Sequence, residues 1–308
     1  MSIGGTTSGI QDRAIADIYT GPKSRSTGQR GIGVDKIILA LVMLYLLIPL
    51  GATLWFGLDT GKGIDFSIYQ RIFADPDLSQ TIITSLELAF GATILAVALV
   101  TPTAYWVQLR IPRARPLLDF LSLVPFAMPA IVLAVGLLQE YSGTSGPLIN
   151  ILSLGLVPLL SNNLNIVNTP PLLVCAYVII ALPFVYRPID NSLRAINTTV
   201  LTEAAYSLGS GWWRAFLTVI LPNIWPGIIS AALLTFSTVM GEFTLATLFS
   251  IYTFPIFLNN VGQQDAHRAA SLAILSFIFT LVCVLGIILL VRRRPGGAAG
   301  QVDIAAAK

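Results

Sequence analysis

The feature that most constrains this chain is a series of long apolar stretches with few or no charged residues. Hydrophobic residues make up 55% of the chain and charged residues only 11%, whereas a soluble domain carries about 25% charged residues. Each stretch is long enough for a helix to cross about 30 Å of hydrocarbon while satisfying its own backbone hydrogen bonds. The sequence therefore predicts an all-α integral membrane protein. The six predicted spans are 37–57, 81–107, 117–138, 171–186, 224–250 and 269–291.

The distribution of Lys and Arg predicts that both termini face the cytoplasm. Most of these cations fall in the N-terminal arm, the second–third connection, the fourth–fifth connection and the tail. The opposite side carries Lys62, Arg71 and Arg268. Because cytoplasmic loops are enriched in Lys and Arg, this bias sets the orientation. We expect a flexible cytoplasmic arm over 1–35, a membrane domain over 36–292 and a cytoplasmic tail over 293–308.

The fourth–fifth connection, at about residues 193–222, predicts a helix–turn–helix on the cytoplasmic side. Helical spacing places Leu201, Ala204, Ala205 and Leu208 on one apolar stripe. We expect Thr199 to cap the start of the first helix and Gly209 to end it in a left-handed conformation. A second short helix is predicted over 212–219. The narrow stripe suits either the groove of a partner protein or the chain's own bundle, and spacing alone leaves both interpretations open.

The same connection resembles the EAA loop of ABC importer permeases, where the membrane subunit holds its ATPase. Glu203-Ala204-Ala205 is followed after three residues by Gly209, and Val219 precedes Leu221-Pro222 by one residue. Gly211 departs from the family, in which many relatives carry a bulkier residue. The ATPase-coupling residues that the resemblance implies are Leu201, Glu203, Ala204, Ala205, Leu208, Gly209, Leu221 and Pro222.

The resemblance implies a type I importer permease with six helices and with both termini in the cytoplasm. Its expected partners are two cytoplasmic ABC ATPase subunits, an extracytoplasmic solute-binding protein and a second permease subunit. Polyamine-type relatives generally use two distinct permeases, so a heterodimer is favoured over a homodimer. We expect the chain to lie in a bacterial cytoplasmic membrane, in contact with lipid and with no nucleic acid.

The chain itself is expected to be a non-catalytic transport subunit. The stretch 57–62 superficially resembles a phosphate-binding loop, but its glycines are too close and Gly63 replaces the required Ser or Thr. No cofactor or metal site is predicted. The single histidine, His267, falls in a predicted external loop, where we expect it to be solvated.

Two carboxylates, Glu87 and Glu242, fall inside predicted spans, and Phe243 follows the second. Burying an ionised side chain there is costly, about 2.5–3.5 kcal/mol by insertion scales at mid-helix. All three residues are candidates for lining the translocation pathway. In the alternative interpretation, the carboxylates are satisfied between helices and hold the bundle in register.

The expected solute is a polyamine, because intramembrane anions suit a cation and no Lys or Arg falls inside the predicted spans. The same motifs also fit relatives that move iron(III), phosphonate, sulfate or another oxyanion. Two other function classes remain open. One is an ion-coupled secondary transporter that uses Glu87 and Glu242 as its relay, and the other is a structural membrane protein.

Overall fold

The computed structural model describes residues 34–59, 63, 67–141 and 168–292, in which regular secondary structure is helical and no β-strand occurs. The helices are α1 (Val34–Leu58), α2 (Ser67–Phe73), α3 (Pro76–Arg110), α4 (Arg115–Ala127), α5 (Ala130–Tyr141), α6 (Pro170–Ala195), α7 (Thr198–Ser207), α8 (Trp212–Ala215), α9 (Leu221–Asn223), α10 (Trp225–Met240), α11 (Thr244–Leu248), α12 (Phe254–Gln264) and α13 (Ala266–Arg292). The predicted all-α class is confirmed. The predicted tail and all but the last two residues of the predicted arm lie outside the described residues.

Four of these helices, α1, α3, α6 and α13, are long and apolar enough to cross a membrane. Two further candidates are bent pairs. Residues 112–127 meet α5 at 96°, and residues 212–223 meet α10 at 75°. If each bent pair crosses once, the described part of the chain holds six spans, which is the predicted number.

The predicted third span, 117–138, is divided into two helices. The helix stops at Ala127, Met128 is extended (φ −93°, ψ 131°), and α5 begins at Ala130. Pro129 explains the break, because proline has no N–H and disfavours helical geometry in the residue before it. Pro125 remains inside α4, so a proline in an apolar run does not by itself end a helix.

Two other predicted edges also move. The predicted fifth span, 224–250, is not continuous, because α10 ends at Met240 and a separate short helix starts at Thr244. Glu242 and Phe243 therefore lie in the break between two helices. The fourth span continues beyond residue 186 to Ala195, so Arg187 and Arg194 belong to α6. Both arginines lie beyond the predicted span 171–186, which itself contains no Lys or Arg.

Helices α3, α6 and α10 pack against one another and form the core. Their contact faces are rich in alanine; fully buried examples are Ala89, Ala92, Ala96, Ala176, Ala181 and Ala231. Lipid is as apolar as a leucine side chain, so close van der Waals packing of small residues drives helix association in membranes. The closest approach is at Gly227, where an added Cβ would lie 2.8 Å from the Pro188 carbonyl oxygen. These three helices form the packed core from which the connecting segments extend.

The chain divides into two units, residues 1–51 and 52–308. In the first, the described helical residues are almost entirely exposed. In the second, the end of α1 contacts α13. His267 Nδ1 lies 2.7 Å from the Phe56 carbonyl oxygen, and the two rings stack at 4.3 Å. His267 is thus a helix residue with a ring partner, which corrects the expectation of a solvated loop residue.

Candidate coupling segment and pathway residues

The connection between α6 and α10, residues 196–224, holds the predicted coupling residues; we call it the EAA segment. Its first helix begins at Thr198 after Asn197, which has left-handed backbone geometry (φ 53°) and makes no side-chain cap. The prediction that Thr199 caps the helix is therefore wrong. Gly209 has a φ of 80°, as predicted, and the following Ser210 N–H donates to the Ala205 carbonyl at 3.0 Å. The turn that follows α7 depends on this glycine.

The predicted apolar stripe does not form one face. Ala205 is buried and Leu201 is half-buried against the core, whereas Ala204 is exposed and Leu208 is 87% exposed. The buried side of α7 instead includes Thr198 and Thr202. Threonine can be buried here because its hydroxyl bonds a carbonyl of the preceding turn, as Thr202 does to Thr198 at 2.7 Å. The prediction from helical spacing considered only apolar residues and therefore did not include the two threonines in the buried face.

The opposite side of α7 is a continuous exposed surface, which we call the EAA face. Its members recur at helical spacing and are Val200, Glu203, Ala204, Ser207 and Leu208. The Glu203 carboxylate has no hydrogen bond or ion pair with any described residue. The EAA face thus presents an acidic group beside an apolar one to the outside of the chain.

The second half of the EAA segment runs as one bent helical path. Helix α8 leads through a π-helix at Phe216–Ile220 into α9. Leu221 is half-buried against the core and Pro222 is exposed. Of the predicted coupling residues, Leu201, Ala205 and Leu221 therefore face the bundle. The others, Glu203, Ala204, Leu208, Gly209 and Pro222, are exposed.

An aromatic cluster joins both halves of the EAA segment to α3. The Tyr105 ring lies 5.4 Å from Trp212 and 5.2 Å from Phe216, and its hydroxyl lies 3.1 Å from Thr202 Oγ1. Tyr105 is fully buried. Sequence analysis missed this cluster, because Tyr105 lies far from the motif along the chain. The available signal was Tyr105 itself, an aromatic residue near the cytoplasmic end of the second predicted span.

Glu242 uses its carboxylate to hold the start of α11. Oε1 accepts backbone N–H groups from Thr244 at 2.9 Å and Leu245 at 3.0 Å, and Oε2 accepts those of Leu245 at 2.9 Å and Ala246 at 3.4 Å. These donors are the otherwise unpaired N–H groups at a helix N-terminus, where negative charge is favoured. The side chain also borders a small pocket shared with Ser85 and Tyr177. Phe243, beside it, is 38% exposed.

Glu87 has the opposite environment. It is exposed on α3, on the same face as the exposed apolar residues Ile83, Phe90 and Ile94. No described residue forms a hydrogen bond or an ion pair with it. The structure thus separates the two predicted pathway carboxylates into one that is bound within the chain and one that is not.

Comparison with known proteins places these features in a family. The family model of binding-protein-dependent transport system inner membrane components matches residues 101–294, which include the EAA segment. The chain belongs to this family. It is an inner-membrane transport permease, and its similarity to the family rests on the same region that carries the motif.

Individual relatives of the permease differ in the solute that they are named for. It is 30% identical over 220 residues to the spermidine/putrescine transport system permease protein PotB of Haemophilus influenzae, across 69% of this chain and 75% of PotB. It is 35% identical over 161 residues to the molybdenum transport system permease protein ModB of Azotobacter vinelandii, across 52% of this chain and 67% of ModB.

A solved structure shares the fold of the permease. It is a bacterial alginate ABC transporter in complex with an alginate pentasaccharide-bound periplasmic protein. The TM-score is 0.63 at 15% sequence identity, over 84% of this chain and 92% of that chain.

The permease also carries a charged network between α4 and α6 that sequence analysis missed. Asp190 is 5% exposed and accepts hydrogen bonds from Arg115 at 2.8 Å and from Arg194 at 2.9 Å. Arg194 also lies 3.9 Å from Asp119. The sequence treated these arginines only as markers of orientation. Since this acid is nearly buried between two cations, removing both cations would leave a costly unpaired charge.

Proposed function

We propose that the permease is the membrane-spanning subunit of an ATP-driven importer and that its EAA face binds a separate cytoplasmic ATPase. The observation that carries the proposal is Leu208, an apolar side chain that is 87% exposed at the end of α7. A short helix that presents apolar side chains is suited to a groove in another protein. Glu203, exposed on the same face, adds a charge that a cation of the ATPase can match.

The complete importer would contain two ATPase subunits, this permease, a second permease subunit and an external solute-binding protein. The family description, which names binding-protein-dependent transport, supports the last of these. The PotB relative supports a second, different permease only by analogy with polyamine systems. In this assembly the permease hydrolyses no ATP and forms half of the pathway.

Purification of the tagged permease from its native membrane tests the ATPase contact. We expect an ATPase to co-purify and its affinity to fall about tenfold to a hundredfold in Leu208→Ser, the range for removing a buried leucine from an interface. Leu217→Ser is a matched control, because Leu217 is 53% exposed in the same segment but lies off the EAA face. A wild-type chain that purifies without nucleotidase activity, while other membrane complexes stay intact, would contradict the proposal.

For the solute, we favour a polyamine. Support comes from the PotB relative and from Glu87, an exposed carboxylate on a membrane helix that suits a cationic solute. Glu242 is a weaker candidate for solute contact, since both of its oxygens accept backbone N–H groups of α11. We place Glu242 and Phe243 at the wall of the pathway, where the break between α10 and α11 shapes it.

An oxyanion is the second candidate solute. It is favoured by the ModB relative and by Arg187, which is exposed on α6 and has no hydrogen bond or ion pair with a described residue. Uptake of labelled spermidine and labelled molybdate by a deletion strain, with and without the chain, separates the two. We expect restored spermidine uptake; restoration of molybdate uptake alone would favour the oxyanion.

An ion-coupled secondary transporter is the alternative class. It would use Glu87 and Glu242 and would need no ATPase. Membrane vesicles with an imposed proton or sodium gradient and no ATP distinguish it. Uptake under those conditions would favour this alternative, whereas an importer of the proposed kind requires ATP inside the compartment that holds the EAA segment.

A further inference from the structure

The buried side of α7 contains a hydrogen-bond chain that leads from the EAA segment to α3. Thr202 Oγ1 donates its single hydrogen to the Thr198 carbonyl at 2.7 Å. Tyr105 must therefore be the donor in its 3.1 Å contact with Thr202 Oγ1. Both residues are at most 1% exposed. The direction of this bond is thus fixed, and water has no access to replace it.

The same tyrosine also contacts the second half of the EAA segment. Its ring packs against both Trp212 and Phe216, whose own rings are nearly parallel at 12° with centroids 5.6 Å apart. Aromatic pairs at these separations are favourable beyond the area they bury. Tyr105 is therefore the residue of α3 at which both halves of the EAA segment meet.

A path of contacts leads from the EAA face of α7 through Tyr105 to the rest of α3. The EAA face and the Thr202 side lie on opposite sides of a single ten-residue helix. Because hydrogen-bonded helices move as units, a displacement of Leu208 carries Thr202 with it. Tyr105 lies on the same continuous helix as Glu87, and at 1.5 Å per residue the two are about 27 Å apart along its axis.

We propose that Tyr105 is a positioning residue that transmits movement of the EAA segment to α3 and so to the Glu87 face. This inference rests on the proposed function, since the movement originates in the bound ATPase. The EAA segment leads directly into α10, so movement along the chain would reach the fifth span. The hydroxyl bond and the two ring contacts give the second span an equally direct connection.

The test uses the complete complex in lipid vesicles, with a probe on α3 that reports movement. A cysteine replaces Ile94, which is 67% exposed, in a background without Cys175 and Cys283. The labelling rate of this cysteine is measured with and without ATP and vanadate. In the Tyr105→Phe variant we expect the nucleotide-dependent change to shrink about threefold to tenfold, as for the loss of one buried hydrogen bond.

A double variant distinguishes transmission from packing. Thr202→Val leaves the buried Tyr105 hydroxyl unpaired, whereas in Tyr105→Phe the Thr202 hydroxyl still donates to the Thr198 carbonyl. Adding Tyr105→Phe to Thr202→Val removes the unpaired hydroxyl, so the thermal stability lost in Thr202→Val should recover. If the bond transmits movement, the change at position 94 stays lost in the double variant. If the bond only stabilises the fold, movement recovers together with stability, and the inference is overturned.

Two controls match the substitutions chemically. Thr103→Val removes a hydroxyl that bonds its own helix at 2.7 Å on α3, as Thr202 does on α7. Tyr252→Phe removes an exposed tyrosine hydroxyl in the connection between α11 and α12. Both control variants should show the same nucleotide-dependent change in labelling at position 94 as the wild type. A wild-type complex without an ATPase would refute the proposed function as well, whereas a responsive wild type with an equally responsive Tyr105→Phe refutes only the inference.

Discussion

Glu203 lies in a short helix that follows α6, and Glu242 lies just before a short helix that follows α10, yet the structure uses the two carboxylates in opposite ways. Glu203 lies in the middle of α7, exposed and without a described partner, on a face that carries the 87% exposed Leu208. Glu242 precedes α11 and has both oxygens bound to backbone N–H groups. A carboxylate already satisfied within its own chain stabilises the fold, whereas an unsatisfied one is available to another molecule.

The largest effect should come from the turn that presents Glu203. We expect Gly209→Asp to reduce coupled import more than tenfold while leaving the protein in the membrane. Aspartate tolerates the left-handed backbone at a cost of about 1–2 kcal/mol, so the fold survives while a charge and an altered turn enter the EAA segment. Uptake and ATPase stimulation measured in the same vesicles check this.

Gly211→Asp is the control for Gly209→Asp. Gly211 has a negative φ, and an added Cβ meets nothing within 4 Å at either glycine. An equal loss in both variants would show that any new charge on this surface blocks coupling. A normal Gly209→Asp protein would remove the EAA segment from the mechanism.

A smaller effect, on stability, should separate the two glutamates directly. Glu242→Ala leaves the N-terminal N–H groups of α11 without acceptors and should lower the free energy of unfolding by about 1–2 kcal/mol, the usual cost of losing a helix cap. Glu203→Ala, at an exposed site, should change it by less than about 0.5 kcal/mol. Thermal unfolding of the purified complexes measures both. Equal stability losses would contradict the distinction between the two carboxylates.

The smallest expected effect concerns solute contact. Replacing Glu87 with Gln should raise the KM for polyamine uptake about threefold to tenfold, because it removes one charge-assisted contact. Glu242→Gln should change KM less, since its carboxylate is already bound to α11. Uptake kinetics at several polyamine concentrations decide between them. A larger increase in KM for Glu242→Gln than for Glu87→Gln would indicate that Glu242 contacts the solute.

The sequence predicted the membrane helices well because hydrocarbon thickness sets their length and composition. It did not give the positions of the breaks in the third and fifth spans, where apolar residues continue through each break. Pro125 and Pro129 lie in the same apolar run, and only the second ends a helix. Which proline breaks a helix depends on the neighbours that can satisfy the freed carbonyl groups, and a single sequence does not contain that information.

The coupling residues show a similar division. The motif predicted the short helix and the left-handed Gly209, because both depend on local chemistry. It did not predict that Ala205 faces inward while Ala204 faces outward, or that Thr202 is buried. Thr202 is in contact with Tyr105, a residue that a different helix brings to the segment. Local sequence patterns therefore predict the helix and its turn more reliably than they predict which side of the helix is buried.

The contact at Gly227 has a consequence for how the bundle can move. The Ser192 side chain and the Pro188 carbonyl occupy the space that any side chain at residue 227 would need. If α10 slid along α6, a larger neighbour would arrive at this point and collide with the backbone. This crossing therefore favours a tilt of the two helices about Gly227 over a translation of α10 along α6.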